Sequence, residues 1–259
     1  MQKRNTQQRR RSIIERLNKH GEVVVDQLAE LFSTSAVTIR KDLTELGNNG
    51  LLLRKFGGAV LLPKGSSEFS NENISSHKIA IAAAAVDLIK DHNRIIIDSG
   101  STTSALLPLL KDKLGLVVMT NSLHVACKLL EQENEPTVLM SGGTWDTQSH
   151  SFQGKMAEQM LRAYNFDQAF LGAAGLDLDK GTTTFNELTQ LSKVMAEVSA
   201  QVIVMAESAK LQRKIPNVEL PWEGISVLVT DDQISTEARQ QIEKFGVEII
   251  CATTNNTGA

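Results

Sequence analysis

Ser35-Ala36-Val37-Thr38-Ile39-Arg40-Lys41-Asp42-Leu43-Thr44-Glu45-Leu46 is the stretch from which the fold of the N-terminal quarter is read. Ser35 offers a side-chain acceptor one residue ahead of an apolar-periodic run, the arrangement of a helix N-cap. A helix from Ala36 to Leu46 turns Val37, Ile39, Leu43 and Leu46 inward. It leaves Ser35, Thr38, Arg40, Lys41 and Thr44 on the outer side. Upstream, Ile13, Ile14 and Leu17 recur at spacings of three and four and predict a first helix over Gln7 to Lys19, ended by His20-Gly21. Val23 to Val25 reads as a short extended link and Asp26 to Phe32 as a second helix, interrupted by Ser33 and Thr34. Downstream, Gly47 to Gly50 closes the third helix. Leu51 to Phe56 is a strand, Gly57-Gly58 a tight turn and Ala59 to Leu62 a second strand. Three small helices followed by a hairpin make a winged helix-turn-helix over residues 1–62.

Such a unit lays its second motif helix in the major groove while flanking groups hold phosphates. Arg40 and Lys41 reach base edges or phosphates, and the sequence leaves both open. Thr38 is placed for a short contact near the helix start, and Arg54 and Lys55 sit at the wing. The basic run Arg9-Arg10-Arg11 on the first helix steers the unit toward a polyanion by nonspecific charge. Asp42 is read as structural, paired with a nearby arginine, because a carboxylate facing phosphate repels it.

The charge distribution agrees. Residues 1–60 hold 11 Lys and Arg against 6 Asp and Glu, a net +5; the remaining residues hold 16 against 24, a net −8, which together restore the overall −3. A basic head on an acidic body fits a nucleic-acid partner, with a lysine- and arginine-rich solvated face as the plain alternative. Composition, 41% hydrophobic and 22% charged, excludes a collagen-like repeat, a disulfide scaffold and disorder throughout. Two distant cysteines, Cys127 and Cys251, lack metal spacing, and the five histidines show no ligand pattern. The longest smooth apolar stretch, Ile79 to Val86, is too short to span a bilayer, and the basic N-terminus lacks a signal-peptide core. The expected location is the cytoplasm, and no cofactor is expected.

Pro63 to Ser76, rich in Ser, Asn, Gly and Glu, reads as a linker. From His77 to residue 252, helices alternate with short apolar strands, which predicts an α/β domain with a largely parallel sheet; 253–259 is a tail. Predicted strands are Arg94 to Ile97, Gly115 to Met119, Thr137 to Met140, Asp167 to Leu171, Gln201 to Ala206, Ile225 to Thr230 and Glu248 to Cys251. Predicted helices are Lys78 to Ile89, Ser104 to Leu110, Leu123 to Glu131, Asn186 to Val198 and Ser235 to Phe245.

Polar turns follow several of the strands, at the end where ligands gather in open α/β sheets. Asp98-Ser99-Gly100-Ser101-Thr102-Thr103 offers small residues, hydroxyls and backbone N–H groups to an anion. Thr120-Asn121-Ser122, Ser141-Gly142-Gly143 and Gly172-Ala173-Ala174-Gly175 lie at corresponding ends and are expected to converge with it; tight connections alone are the other reading. Gly181 to Glu187 adds Thr184, Asn186 and Glu187, donors and a carboxylate suited to a polyhydroxylated ligand. Asn186 also reads as a helix cap. Lys193 and Lys210 are candidates to neutralise a phosphate, Lys78 a weaker one, and each reads equally as a surface lysine. Asp98 either accepts from a sugar hydroxyl or orients its loop.

Two pieces of the head, the Thr38-Ile39-Arg40-Lys41-Asp42-Leu43 helix and the wing Arg54-Lys55-Phe56-Gly57-Gly58, resemble the signature of the DeoR family of bacterial sugar-operon regulators. Asp98 to Thr103, Thr120 to Ser122, Gly142-Gly143, Gly181 to Glu187 and Ser208-Ala209-Lys210 resemble that family's effector-domain landmarks in order, so the likeness covers residues 5 to 251. Glu207-Ser208-Ala209-Lys210-Leu211 departs from the family's Asp-Ser-Ser-Lys-Phe. Met119 to His124 and Gly181 to Glu187 are most similar to regulators of glucitol (sorbitol) operons.

The resemblance implies a transcriptional repressor, a double-stranded DNA operator, a homo-oligomer (dimer or tetramer) and a phosphorylated sugar or sugar-alcohol effector such as glucitol 6-phosphate. It also implies a Rossmann-like effector domain similar in fold to ribose-5-phosphate isomerase. Those isomerases carry an acidic Asp-Gly-Ala-Asp-Glu turn, whereas the matching turn here, Leu171 to Gly175, has no carboxylate for proton transfer. A non-enzymatic regulator is therefore expected, with an isomerase-like enzyme and a nonspecific architectural DNA-binding protein as the alternatives.

Overall fold

The computed structural model describes residues 2–48, 52–55, 57–60, 74–147, 149–184, 189–213 and 215–254. The chain divides into two compact units, residues 1–68 and 69–259.

The first unit contains α1 (Gln2–His20), β1 (Glu22–Val24), α2 (Val25–Leu31), α3 (Ala36–Asn48), β2 (Leu53–Lys55) and β3 (Gly58–Val60). Ile13, Leu17, Leu28, Ile39, Leu43, Leu46, Leu52 and Ala59 make its core. The Ser35 hydroxyl accepts from the Thr38 N–H at 3.1 Å, the expected cap of α3. The wing has one strand more than the sequence suggested. The Val23 run pairs antiparallel with β3, giving the order β1-β3-β2. This pairing also divides the labour of the two glycines. Gly57 turns the chain at φ +78°, whereas Gly58 is already in strand, where an added Cβ would lie 2.1 Å from the Val23 carbonyl oxygen.

Val37 does not face inward as its hydrophobicity suggested. The inward face of α3 is Ile39, Asp42, Leu43 and Leu46, while Val37 is 71% exposed. A helix presents i, i+3, i+4 and i+7 on one side, and Val37 falls in that register with Arg40, Lys41 and Thr44 rather than with Ile39 and Leu43.

The second unit opens with α4 (Ser76–Val86), β4 (Arg94–Ile97), the single turn α5 (Ser101–Ser104) and a 3-10 segment (Leu107–Asp112). β5 (Val117–Thr120), α6 (Leu123–Leu130) and β6 (Thr137–Met140) follow. A hairpin, β7 (Thr144–Asp146) and β8 (Ser151–Gln153), leads into α7 (Lys155–Arg162) and β9 (Phe166–Gly172). Next come β10 (Gly175–Asp177), β11 (Gly181–Thr184), α8 (Gln190–Glu197), β12 (Ser199–Met205) and a 3-10 turn (Ser208–Gln212). β13 (Asn217–Leu220), a 3-10 turn (Trp222–Gly224), β14 (Val227–Asp231), α9 (Thr236–Glu243) and β15 (Glu248–Ala252) complete it.

Seven strands form one sheet in the order β15-β14-β12-β9-β4-β5-β6, parallel throughout. Both faces are covered, so its strands are apolar on both sides. Ile95, Ile97, Phe170, Ile203 and Met205 pack in one core with Ile81 and Ala85 of α4 and Val125 and Leu129 of α6. The alternate residues Ile96, Ala169, Leu171, Val202 and Val204 pack in the other with Leu161 of α7, Val194 of α8 and Ile242 of α9. The period of two along each strand thus builds a three-layer α/β domain.

Several predicted bounds move. Ser75 and Ser76, taken as linker, cap and open α4. The helix expected over Ser104 to Leu110 is instead α5 plus the 3-10 segment, and the helix expected from Asn186 begins at Gln190. The β7–β8 hairpin, α7 and the small antiparallel sheet β10-β11-β13 were not anticipated. Gly181 to Thr184, read as a ligand loop, is the middle strand of that sheet, with Thr182 and Thr183 buried.

Candidate functional site

In the head, Val37, Arg40, Lys41 and Thr44 form one exposed stripe on α3, with Ser35 at its N-terminal end and Thr38 half-buried beside it. The Thr44 hydroxyl donates to the Arg40 carbonyl oxygen at 2.8 Å and accepts from Arg54 Nη1 at 2.6 Å, so the wing arginine is held against the exposed stripe. The Lys55 side chain lies outside the described residues. Arg9 and Arg10 do not serve as the free basic run expected of them. Their Nε atoms donate to Asp42 Oδ2 at 2.6 Å and Oδ1 at 2.9 Å, and the Asp42 side chain is only 3% exposed. Asp42 is thus the structural carboxylate the sequence suggested, and it recruits two arginines from α1. Arg11 remains exposed, with Glu15 as its ion-pair partner.

In the body, strand order brings the polar turns together. The chain runs outward from β4 through β5 to β6, returns to the other side of β4 as β9, then continues outward through β12. The reversal lies between β4 and β9, where an open α/β sheet leaves a crevice at its C-terminal edge. Asp98 and Gly172 face each other across it. Asp98 Oδ2 accepts from the Gly172 N–H at 2.6 Å; Oδ1 accepts from the Gly100 N–H at 2.8 Å and the Thr103 hydroxyl at 2.5 Å. Burial raises the Asp98 pKa, opposed by these three donors and by Lys210. Three hydrogen bonds occupy most of what a carboxylate can accept, so Asp98 orients the loop rather than reading a ligand hydroxyl. Gly100 is needed for this closeness, since a Cβ there would stand 3.0 Å from both Asp98 Oδ1 and Thr103 Oγ1.

The neighbouring turns are partly engaged in their own structure. Thr102 and Thr103 are buried. Thr120 Oγ1 accepts from the Ser122 N–H at 3.0 Å, and Ser122 Oγ caps α6 through the Val125 N–H at 3.3 Å. Asn121 is 3% exposed, and its buried Oδ1, at the end of β5, has no hydrogen-bond partner among the described residues. Gly142 and Gly143 are exposed beyond β6 at φ +61° and +108°. Thr184 ends β11 half-buried, Lys193 is exposed on α8, and Asn186 and Glu187 lie outside the described residues.

Positive charge gathers at the crevice. Lys210 is buried, donates to the Ala173 carbonyl oxygen at 2.5 Å, and has its pKa lowered to about 8. Burial is the main cause, followed by the Arg213 charge; Lys78 acts in the same sense, while Glu207 and Asp98 oppose it. Lys78 Nζ donates to Ser101 Oγ at 3.0 Å, and Arg213 Nη1 to the Ala174 carbonyl oxygen at 3.2 Å. The weaker candidate Lys78 therefore belongs with the site. Arg213 was missed, although its place one turn beyond Lys210 was a legible signal. Ser208, of the segment that departs from the family wording, donates through N and Oγ to the Asp231 carboxylate at 2.8 and 2.6 Å, which fixes the turn bearing Lys210.

Glu219 was missed as well. β11 and β13 slip register between Thr182 and Thr183, so that Leu220 faces Thr182 and Val218 faces Thr183, which leaves Glu219 as the extra residue of a bulge. Its Oε1 accepts from Ser192 Oγ of α8 at 2.6 Å. Burial pushes its pKa up to about 7, opposed by the Ser192 bond, with Asp98 adding to the rise and Lys193 opposing it. Among the described residues there is no group of three or more His, Cys, Asp or Glu able to hold a metal ion, and no helix is long and apolar enough to cross a membrane.

A winged helix-turn-helix unit with an exposed basic stripe, joined to a parallel α/β unit with a polar crevice at its switch point, defines the class of ligand-sensing DNA-binding regulators. Residues 9–64 match the DeoR-like helix-turn-helix domain and residues 73–232 the DeoR C terminal sensor domain, so the chain belongs to the DeoR family of transcriptional regulators. It is 38% identical to the putative aga operon transcriptional repressor of Escherichia coli O157:H7, across 95% of this chain and 93% of that one. It is 30% identical to the transcriptional repressor AccR of Agrobacterium fabrum, across 96% and 98%. Neither name refers to a glucitol operon. Among solved structures, ribose 5-phosphate isomerase a from Methanocaldococcus jannaschii overlays with a TM-score of 0.38 at 18% identity, covering 51% of this chain and 52% of that one.

Proposed function

We propose that this chain represses an operon for the use of a sugar or sugar alcohol and is released from its operator by a phosphorylated form of that compound. The observation that carries the effector is the charge balance at the switch-point crevice. The Arg213 and Lys78 charges act on Lys210 there, opposed by Glu207 and by an Asp98 whose carboxylate is already held by three donors. A buried ammonium lowered to about 8 is a site that gains from an anion. Ser101 of the Asp98 turn and the unpartnered Asn121 acceptor suit the hydroxylated remainder of such a ligand. Glucitol 6-phosphate is the first member of this class to test.

The operator is read by Ser35, Thr38, Arg40, Lys41 and Thr44 of α3, with Arg54 and Lys55 at the wing. A homo-oligomer, dimer or tetramer, supplies two heads for two half-sites. Induction follows from linkage: the effector must bind the arrangement that releases DNA more tightly than the one that holds it. A hundredfold preference corresponds to about 2.7 kcal/mol of coupling. Isomerase chemistry is not favoured, because the turn from Gly172 to Gly175 offers no acid or base and both Asp98 oxygens are already engaged.

The test is fluorescence anisotropy at near-physiological salt. The full chain is titrated onto the DNA upstream of its neighbouring operon, with a scrambled duplex as control, followed by glucitol 6-phosphate, other sugar phosphates and the unphosphorylated sugars. Specific binding reversed only by a phosphorylated ligand supports the reading. Release by phosphorylated and free sugar alike rejects the anion site, and an Arg40→Ala/Lys41→Ala double variant with unchanged affinity rejects the assigned helix.

A further inference from the structure

We propose that Val37 reads the 5-methyl group of a thymine in each operator half-site, an inference that rests on the operator-binding reading above. Val37, Arg40, Lys41 and Thr44 lie at i, i+3, i+4 and i+7 of α3, one face of a helix, directly opposite the buried Ile39, Leu43 and Leu46. At 71% exposed, Val37 is the most open large hydrophobic side chain among the described residues of the head. It is the second residue of α3, in the N-terminal part that a recognition helix presents to base edges. The backbone there is fixed, because the next residue's N–H donates to the Ser35 hydroxyl and the Thr38 and Ser35 hydroxyls bond each other at 2.9 Å.

The chemistry of the groove selects the occupant. Valine can neither donate nor accept a hydrogen bond, so opposite a polar base edge or a phosphate it only displaces water from groups that then go unpaired. The apolar group on the floor of the major groove is the thymine 5-methyl. A β-branched side chain is already stiff at χ1, so its two methyls meet that group with little further loss of rotamer freedom. Arg40 and Lys41, one turn further along the same face, supply the polar contacts, and Val37 supplies discrimination at a position they do not read.

Deoxyuridine keeps every hydrogen-bonding group of thymidine and lacks only the methyl, so the experiment alters the DNA and leaves the protein intact. The full chain is bound to its footprinted operator, and each thymidine is replaced in turn by deoxyuridine in synthetic duplexes. One symmetric pair of positions should lose about fourfold in affinity per half-site, the amount expected for one buried methyl. Val37→Ala should lose a similar factor on the natural operator and nothing more on the deoxyuridine duplex, and Val37→Ser, which has no γ-methyl, should bind the two duplexes alike. A scan in which no thymidine responds overturns the inference. So does a Val37→Ala variant that weakens binding equally on the natural and deoxyuridine duplexes, or that changes only the oligomeric state. Absence of any footprint rejects the operator reading itself and the inference with it.

Discussion

Asp98 Oδ2 and the Gly172 N–H, 2.6 Å apart, tie the end of β4 to the end of β9 across the point where the sheet reverses its winding. The bond locks together the two strand ends that flank the crevice of the open sheet. Asp98→Asn replaces an acceptor with an amide N–H that faces existing donors, and leaves one of Gly100, Thr103 and Gly172 unsatisfied. The expected cost is about 1–3 kcal/mol of body stability, with loss of the effector response and retained operator binding. Thermal unfolding and effector titration of the variant check this; unchanged effector affinity would show that the loop is not part of the site.

The Asp42 clamp in the head is a buried carboxylate with two arginines on it. Removing one member of a buried ionic cluster costs more than the cluster is worth, because the remaining charges stay desolvated. Asp42→Ala should therefore destabilise the head by about 3–5 kcal/mol and abolish operator binding, while effector binding by the body persists. Scanning calorimetry of the full chain reads the two units separately. A head transition at its original temperature would mean that Arg9 and Arg10 hold α1 on α3 without Asp42.

These two sites show what the sequence carried and what it did not. Ser35 as a cap, Gly57 as the turn of the wing, and β4 and β6 with their bounds were legible, because each rests on local chemistry: a cap acceptor, a positive φ, a short apolar run with polar flanks. Val37 was assigned inward because hydrophobicity was allowed to outweigh helical phase. Arg9 and Arg10 read as a DNA-facing run because their partner lies 33 and 32 residues away. The strand from Gly181 to Thr184 read as a loop because threonines serve both as β-formers and as ligand donors. Glu219 was invisible, since a glutamate in a short strand reads as solvent-facing and the bulge that turns it inward is a product of pairing with β11.

Glu219 ionises near pH 7 in the folded chain against 4.5 when unfolded. Below pH 4.5 both states hold the proton and burial costs nothing; above 7 both are ionised and the folded state bears the full desolvation cost. The contribution of Glu219 to stability thus falls between those two values. Glu219→Gln keeps an oxygen for the Ser192 hydroxyl and removes the charge. It should gain stability over the natural chain by on the order of 2–3 kcal/mol at pH 8 and by little at pH 4.5, a ceiling because the side chain keeps a partial opening to solvent. Denaturant unfolding at both pH values measures the difference, and a gap that does not change with pH rules out a buried ionisation.

Lys210 behaves with the opposite sign. Its folded pKa of about 8 lies below the ordinary 10.5, so stability rises with pH through that window as the folded state sheds a buried charge first. An anion bound beside it favours the ammonium and reverses the shift. Effector binding should therefore take up a proton above pH 8, and affinity should fall by up to about tenfold per pH unit there. Calorimetric titration at pH 8.5 in two buffers of different ionisation enthalpy reads the proton directly. Lys210→Met should bind weakly and show no buffer dependence; a proton uptake that survives in this variant assigns it to another group.

The start of α4 is tied to the same crevice twice. Ser75 Oγ donates to Glu207 Oε1 at 2.7 Å, and Lys78 Nζ donates to Ser101 Oγ at 3.0 Å. Glu207 is one of the charges acting on Lys210, so an anion that draws the lysines inward alters the surroundings of both bonds. Coupling in a regulator is a free-energy difference between two arrangements, and a contact that exists in one of them sets its size. Ser75→Ala removes the first bond, together with the cap that Ser75 Oγ gives the Lys78 N–H at 3.2 Å, and leaves the Lys78, Lys210 and Ser101 side chains in place. The effector dissociation constant and the effector-free operator affinity should each stay within about twofold, while the factor by which effector lowers operator affinity shrinks by up to about 1.5–3 kcal/mol, the ordinary worth of one hydrogen bond to a charged group. Anisotropy titrations with and without saturating effector give that factor. A Ser75→Ala variant with the full effector response would place the coupling elsewhere in the body, whereas a variant that loses effector affinity outright would make Ser75 part of the binding site itself.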